Sequence, residues 1–208
     1  MYAHPSGHAA YYPGTAALFM KVLFDPAEGR LLGAQVLGRD GVDKRIDVLA
    51  VAQRAGMSVY DLEHLELSYR SAKDPVNMVG FLVANLLRGD IHLWYPEEFP
   101  ECAERALILD TRTQAEFFVL IPYTELRERL SEIPRDRRVY MYCRSGFRSY
   151  TAYCVLRQGG WETAFLSGGT MTYHGFHKTP PATGAAGMPV VTHAEDVLAQ
   201  LPGSLTAV

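Results

Sequence analysis

Residues 143–149, Cys-Arg-Ser-Gly-Phe-Arg-Ser, gather a thiol, two guanidinium groups and two hydroxyls in one short run. The apolar stretch Val139–Tyr142 ahead of them predicts a buried strand, and Ser149–Arg157 behind them predicts a helix. A loop turning from a strand end into a helix N-terminus aims several backbone N–H groups at one point, and the helix dipole adds positive potential there. Arg144 and Arg148 reinforce that potential. In such a cradle the Cys143 thiolate is expected to be favoured near neutral pH, which makes Cys143 a nucleophile. The same cradle suits a persulfide or an oxyanion such as thiosulfate. Gly146 supplies backbone angles that a side chain forbids. The other two cysteines read differently: Cys154 falls on an apolar helix face and Cys102 has no polar company, so both are expected to be structural. Three widely spaced cysteines make neither a disulfide framework nor a zinc site. His4 and His8 have no carboxylate or cysteine at ligand spacing, so they read as surface histidines and no metal is expected.

The elements that must position this loop alternate. Ala106–Leu109 reads as a short strand ending in Asp110, Glu125–Leu130 as a charged amphipathic helix closed by Pro134, and Thr163–Leu166 as a strand ending at Gly168-Gly169. Strands alternating with helices predict right-handed crossovers and a parallel sheet. The preceding segment has another character. Ala17–Phe24 and Arg30–Leu37 flank the turn residues of Asp25–Gly29 and predict a hairpin. Helices are expected over Asp43–Ala55, after Ser58 with Asp61 as its capping partner, and over Pro75–Leu87 with Lys73-Asp74 at its start. The fold class expected is thus α+β followed by α/β, divided at 1–91, 92–178 and a Pro/Gly/Ala-rich tail, 179–208, with a short helix near Ala194–Leu201.

Composition excludes several functions. Of the 208 residues, 48% are hydrophobic and 21% charged, enough apolar surface for a folded core. A net charge of −3 without a Lys/Arg cluster gives no footprint for nucleic acid. No apolar run reaches the length of a membrane span and the N-terminus lacks a signal-peptide layout, so the expected compartment is the cytoplasm.

The cysteine loop resembles that of rhodanese-type sulfurtransferases, whose pattern is Cys-x-x-Gly-x-Arg-Ser/Thr. Leu107-Ile108-Leu109-Asp110-Thr111-Arg112, Ile121-Pro122 and Leu166-Ser167-Gly168-Gly169 are similar, in order, to further landmarks of that family. The resemblance implies that Cys143 carries sulfane sulfur as a persulfide and that Arg144 and Arg148 hold an anionic donor. It also implies that Ser145, Gly146, Phe147 and Ser149 line the substrate-binding loop, with Asp110 and Arg112 in a charged network beside it. The small donors expected are thiosulfate, persulfide or polysulfide. Cysteine phosphatases share the sheet and the loop but need five residues between cysteine and arginine; four separate Cys143 from Arg148, which disfavours that chemistry.

The first segment resembles a second family. His8–Gly14, Leu32-Gly33-Ala34-Gln35, Gly41–Asp47 and Ser71–Asn77 are similar to the dimerisation domain of pyridine nucleotide-disulfide oxidoreductases, in the coenzyme A disulfide reductase and NADH oxidase branch. That implies a homodimer, with Tyr69, Tyr11 and Tyr12 as candidates for contact with the partner's active site, although ordinary interface or core aromatics read equally well. It also implies FAD, NAD(P)H and coenzyme A for the parent enzyme. The sequence holds no G-x-G-x-x-G to cradle a dinucleotide, so none of these is expected to be bound by this chain alone. The chain thus looks like the C-terminal part of a larger flavoenzyme, not expected to transfer hydride by itself. Two stretches, between Tyr69 and Ser71 and between Phe117 and Pro122, are several residues shorter than the resemblances imply. The competing non-enzymatic reading is a dimerisation and regulatory module.

Overall fold

The computed structural model describes residues 1–9, 11–68, 73–112 and 121–177. Alternation in β2 (Phe19–Phe24) turns Met20 and Val22 into the core and leaves Phe19 and Leu23 outward, as period-two side-chain placement requires. β3 (Leu31–Leu37) pairs antiparallel with it. The connecting turn is shaped by the Asp25 carboxylate, which accepts from Ala27 N at 2.8 Å, and by Gly29 at a φ of 71°. A two-residue strand, β1 (Tyr2–Ala3), adds antiparallel to the far edge of β2; at that length it leaves no periodic signal in the sequence.

Three helices cover this sheet. α1 (Val42–Arg54) buries Leu49 and Ala52. α2 (Val59–His64) starts with the expected capping box: Ser58 N donates to Asp61 Oδ2 at 2.7 Å and Asp61 N donates to Ser58 Oγ at 3.3 Å. α3 (Pro75–Leu87) starts with another, in which Val76 N donates to Asp74 Oδ1 and Asp74 N donates to Asn77 Oδ1. Gly80 lets α2 and α3 touch, because a side-chain carbon there would lie 2.8 Å from the backbone nitrogen of Glu63.

The second sheet is parallel, in the order β4-β7-β6-β5, with β4 Leu93–Trp94, β5 Leu107–Asp110, β6 Val139–Tyr142 and β7 Thr163–Leu166. Helices α4 (Phe99–Arg105), α5 (Phe147–Gln158) and α6 (Gly169–His177) connect or follow these strands. β7 is buried throughout, as expected of a central parallel strand, and Val139 and Met141 of β6 are fully buried. This is the α+β then α/β order expected, with the parallel-sheet domain second. Residues Met1–Phe176 form one unit. It has separate hydrophobic cores on the two sheets, and Leu82 and Leu93 pack against both.

Two elements differ from expectation. Residues 123–128 form successive turns followed by a short 3-10 helix, Leu130–Glu132, in place of an α-helix over Glu125–Leu130. Leu126 is the one fully buried anchor of that stretch, and a single turn of charged side chains does not recover the cost of helix nucleation. α6 forms where the sequence shows glycines and threonines, which favour turns on propensity alone. The tail helix near Ala194–Leu201, Tyr69 and the short stretches after Tyr69 and Phe117 lie outside the described residues, except Pro122 and the residue before it. Among the described residues no helix is long and apolar enough to cross a membrane.

Candidate active site

Cys143 is the first residue beyond β6, and α5 begins four positions later. Gly146 sits at the helix N-cap with a φ of 100°, a conformation closed to ordinary side chains, so the chain can turn in four residues from strand to helix. That turn folds the backbone around the sulfur. Gly146 N donates to Cys143 Sγ at 3.2 Å and Ser149 N at 3.4 Å; Ser149 Oγ lies 3.4 Å from the same sulfur and 3.0 Å from the Gly146 carbonyl. The donors come from the loop and the first turn of α5, where the helix carries its positive end. Cys143 and Ser149 are both 0% exposed, whereas Phe147 is 70% exposed and Arg144 is open to solvent. Ser145 and Arg148 are half-buried.

The neighbouring strand braces the loop. Asp110 stands opposite Tyr142 in the β5–β6 register, one residue before Cys143. Its carboxylate accepts from Arg112 Nε at 3.0 and 2.8 Å, from Arg112 Nη2 at 2.6 Å and from the Arg112 backbone N at 2.9 Å. Burial is the largest influence on the Arg112 charge and opposes it, but hydrogen bonding and charge attraction from Asp110, together with Tyr142, outweigh it and hold the guanidinium pKa above its ordinary value. The same guanidinium lies over the Tyr142 ring, 5.6 Å from its centroid. Burial, with Asp110 nearby, raises the Tyr142 phenol. Thr111 N and Oγ1 both donate to the Tyr142 carbonyl at 3.0 Å. Thr111 and Tyr142 carry no chemical motif, and only their strand positions, one after Asp110 and one before Cys143, could have pointed to them.

α6 closes the other side. Thr170 N and Met171 N donate to the carbonyls of Cys143 and Arg144 at 2.9 and 3.0 Å. His4 is no surface histidine: its Nε2 shares a 2.7 Å hydrogen bond with Thr172 Oγ1, and burial lowers its pKa to about 4. The sequence could not show this, because its partner lies 168 positions away. His8 lies 3.9 Å from Asp40, and among the described residues no group of three potential ligands could hold a metal ion. Tyr11 and Tyr12 are exposed, 83% and 60%.

The remaining thiols stand apart from this arrangement. Cys102 is buried on α4, its thiol raised by burial, and lines a cleft of about 340 Å³ with Glu98, Arg105, Arg138 and Tyr140. Its polar neighbours were not legible from its local sequence. Cys154 is half-buried on α5 beside Tyr150.

Comparison with known proteins covers both halves. Residues 1–69 match the family described as pyridine nucleotide-disulphide oxidoreductase, dimerisation domain. Coenzyme A disulfide reductase of Staphylococcus aureus (strain bovine RF122 / ET3-1) is 40% identical over 78 residues, 36% of this chain and 18% of that protein. The same enzyme of Staphylococcus haemolyticus (strain JCSC1435) is 40% identical over 83 residues, 38% of this chain and 19% of that protein. Among solved structures, reduced Bacillus anthracis CoADR-RHD superposes with a TM-score of 0.79 at 38% identity, over 83% of this chain and 33% of that one. A NAD-dependent persulfide reductase from A. fulgidus gives 0.76 at 34% identity, over 83% and 34%. The chain thus aligns with about a fifth of the length of these curated relatives and a third of these structures. With a matching domain model at its start and a parallel sheet carrying the cysteine loop after it, the chain is similar over residues 1–69 to the pyridine nucleotide-disulphide oxidoreductase dimerisation domain, followed by a rhodanese-like domain.

Proposed function

We propose that this chain transfers sulfane sulfur through a persulfide on Cys143, as part of a flavin- and NAD(P)H-dependent reductase of coenzyme A disulfide, persulfide or polysulfide. In this reading residues 1–91 dimerise with a second copy, residues 92–178 form the sulfurtransferase, and 179–208 form a linker or docking tail. The setting is the cytoplasm. The observation that carries the proposal is the ring of Gly146 N, Ser149 N and Ser149 Oγ directed at one buried sulfur. Hydrogen-bond donors converging at a helix N-terminus stabilise an anion held there.

The chemistry then balances without a redox partner. The Cys143 thiolate attacks the outer sulfur of thiosulfate, the sulfur–sulfur bond of the donor breaks and sulfite leaves with the electron pair. The new persulfide places its outer sulfur about 2 Å beyond Sγ, which lifts the transferable atom out of the buried position of the thiol. A nucleophilic acceptor such as cyanide takes that sulfur and regenerates the thiolate. Arg144 and Arg148 hold the anionic donor, with Ser145, Gly146, Phe147 and Ser149 forming the loop around it. Asp110 and Arg112 fix the strand end from which the loop departs.

FAD and NAD(P)H do not fit the described residues, which contain no G-x-G-x-x-G turn between a strand and a helix for a pyrophosphate. No step is therefore routed through them, and their domains would lie outside this chain. The second reading is a dimerisation and regulatory module that uses the rhodanese-like fold without catalysis. The complete burial of the Cys143 thiol favours it. Thiosulfate-to-cyanide transfer by this chain beside Cys143→Ala separates the two. Thiocyanate formation that disappears in the variant, with a mass increase of one sulfur on the Cys143 peptide after thiosulfate treatment, is the expected result. Neither thiocyanate nor persulfide in the unsubstituted protein, with thiosulfate or a polysulfide as donor, would favour the regulatory module.

A further inference from the structure

The cysteine loop is also held from the side of α6. Thr170 N and Met171 N tie down the carbonyls of Cys143 and Arg144. Among the described residues there are no cis peptide bonds, and in a trans peptide the carbonyl and the following N–H point in opposite directions. Fixing these two carbonyls on α6 therefore turns the N–H groups of Arg144 and Ser145 away from α6 and sets the first two peptide planes of the loop. The contact needs glycine at position 169, where φ is 62° and a side-chain carbon would collide with both carbonyl oxygens.

The start of α6 is in turn held by the N-terminal strand. Ser167 Oγ accepts from Tyr2 N at 2.9 Å and donates to the Tyr2 carbonyl at 3.1 Å. Thr172 Oγ1 shares its 2.7 Å bond with His4. The His4 ring is fixed edge-on against Phe19 of β2, with centroids 4.5 Å apart. Gly168 leaves the space for this junction, since a side-chain carbon there would meet Thr172, Tyr2 and His4 together.

We propose that Ser167 and Thr172 are positioning residues for sulfur transfer: they lock α6 to the strand that begins the dimerisation domain, and α6 orients the peptide planes around Cys143. The inference rests on the sulfur-transfer reading and adds to it a physical route by which the first sheet acts on the nucleophile of the second. Two short links, Tyr2–Ser167 and His4–Thr172, carry the coupling. Neither Ser167 nor Thr172 touches the sulfur.

The test uses the full chain with Thr172→Val, Thr172→Ser and Ser167→Ala. Four quantities are measured: kcat and KM for thiosulfate-to-cyanide transfer, the rate at which iodoacetamide alkylates Cys143, and the thermal midpoint. Loss of the side-chain hydrogen bonding at either link is expected to lower kcat and the alkylation rate about three- to tenfold in Thr172→Val and Ser167→Ala, with KM within about twofold. Thr172→Ser, which keeps the hydroxyl, is expected to restore both rates to within about twofold of the unsubstituted protein. Unchanged rates in both hydroxyl-deleted variants would overturn the proposal, and so would an equal loss in Thr172→Ser. If the unsubstituted protein transfers no sulfur, the sulfur-transfer reading fails by itself and the alkylation rates alone decide the positioning role. The two links are separate, so if one variant does not fold, the rates of the other decide the positioning role.

Discussion

Asp74 and Asp110 are both buried aspartates at the end of an element, and each holds an arginine, Arg45 at 2.9 Å and Arg112 at 2.6 Å. Arg45 comes from 29 positions away and also donates to the Gly7 and Gly41 carbonyls at 3.1 Å. It ties α1, the cap of α3 and the N-terminal segment into one knot. Arg112 lies two positions from its partner, lies over Tyr142 and leaves part of its side chain accessible beside the cysteine loop. The same ion pair is thus built across the chain where it organises a fold and built locally where it shapes a site. A cross-chain pair fails globally when cut. A local pair can fail where it stands.

Arg45→Ala provides the largest separation between the two. It leaves the Asp74 carboxylate buried without its charge partner, together with two bereft carbonyls, and a loss of about 3–5 kcal/mol in unfolding free energy is expected. Urea denaturation followed by circular dichroism measures it. Protein that remains folded at low temperature is expected to keep its sulfur-transfer rate. A rate that falls in step with the stability loss would remove the distinction between fold pair and site pair.

Arg112→Ala sharpens the comparison from the other side. Asp110 keeps the backbone N–H of Arg112 and Arg112 is not fully buried, so the stability loss is expected to be smaller, about 2–3 kcal/mol. The sulfur-transfer rate is expected to fall roughly tenfold or more, as the strand end before Cys143 loses its brace. Full activity in a destabilised protein would mean that Asp110–Arg112 serves the fold alone.

These pairs also mark how far the sequence could be read. The cysteine loop was legible because its chemistry is local: strand, thiol, glycine and helix follow one another within residues 139–158. The capping box at Ser58, the helix start at Asp74, the hairpin and the helix Pro75–Leu87 were legible for the same reason. What joins distant positions was not. Nothing around His4 or Thr172 announces their bond, and nothing around Arg45 announces Asp74. The failed helix at Glu125–Leu130 and the unexpected α6 show the limit in secondary structure: in the first a short charged segment does not nucleate a helix, and in the second the surrounding contacts outweigh propensity. Roles for Tyr11 and Tyr12 needed a partner subunit, and two exposed side chains do not supply one.

The smallest effect concerns His4, where the two regions meet. Burial holds its imidazole neutral, with a folded pKa of about 4 against an ordinary value of 6.5. Between those values the unfolded chain binds a proton that the folded chain refuses, so this residue's share of stability is present above pH 6.5 and falls away as pH drops toward 4. Below pH 4 both states are protonated and the loss levels off. The ring is partly exposed, so after screening the loss amounts to about 1–2 kcal/mol. Carboxylates titrate over part of the same range, so the measurement is a difference: unfolding free energy from pH 7.5 to 4 for the protein and for His4→Gln. Glutamine carries no titrating group and can still reach Thr172, and its curve is expected to be flatter by that amount. Parallel curves would show that His4 is not kept neutral in the folded chain and that its bond to Thr172 tolerates a charge. The links at Ser167 and Thr172 would then hold at either charge of His4, and the coupling of β1 to the Cys143 loop would not depend on pH.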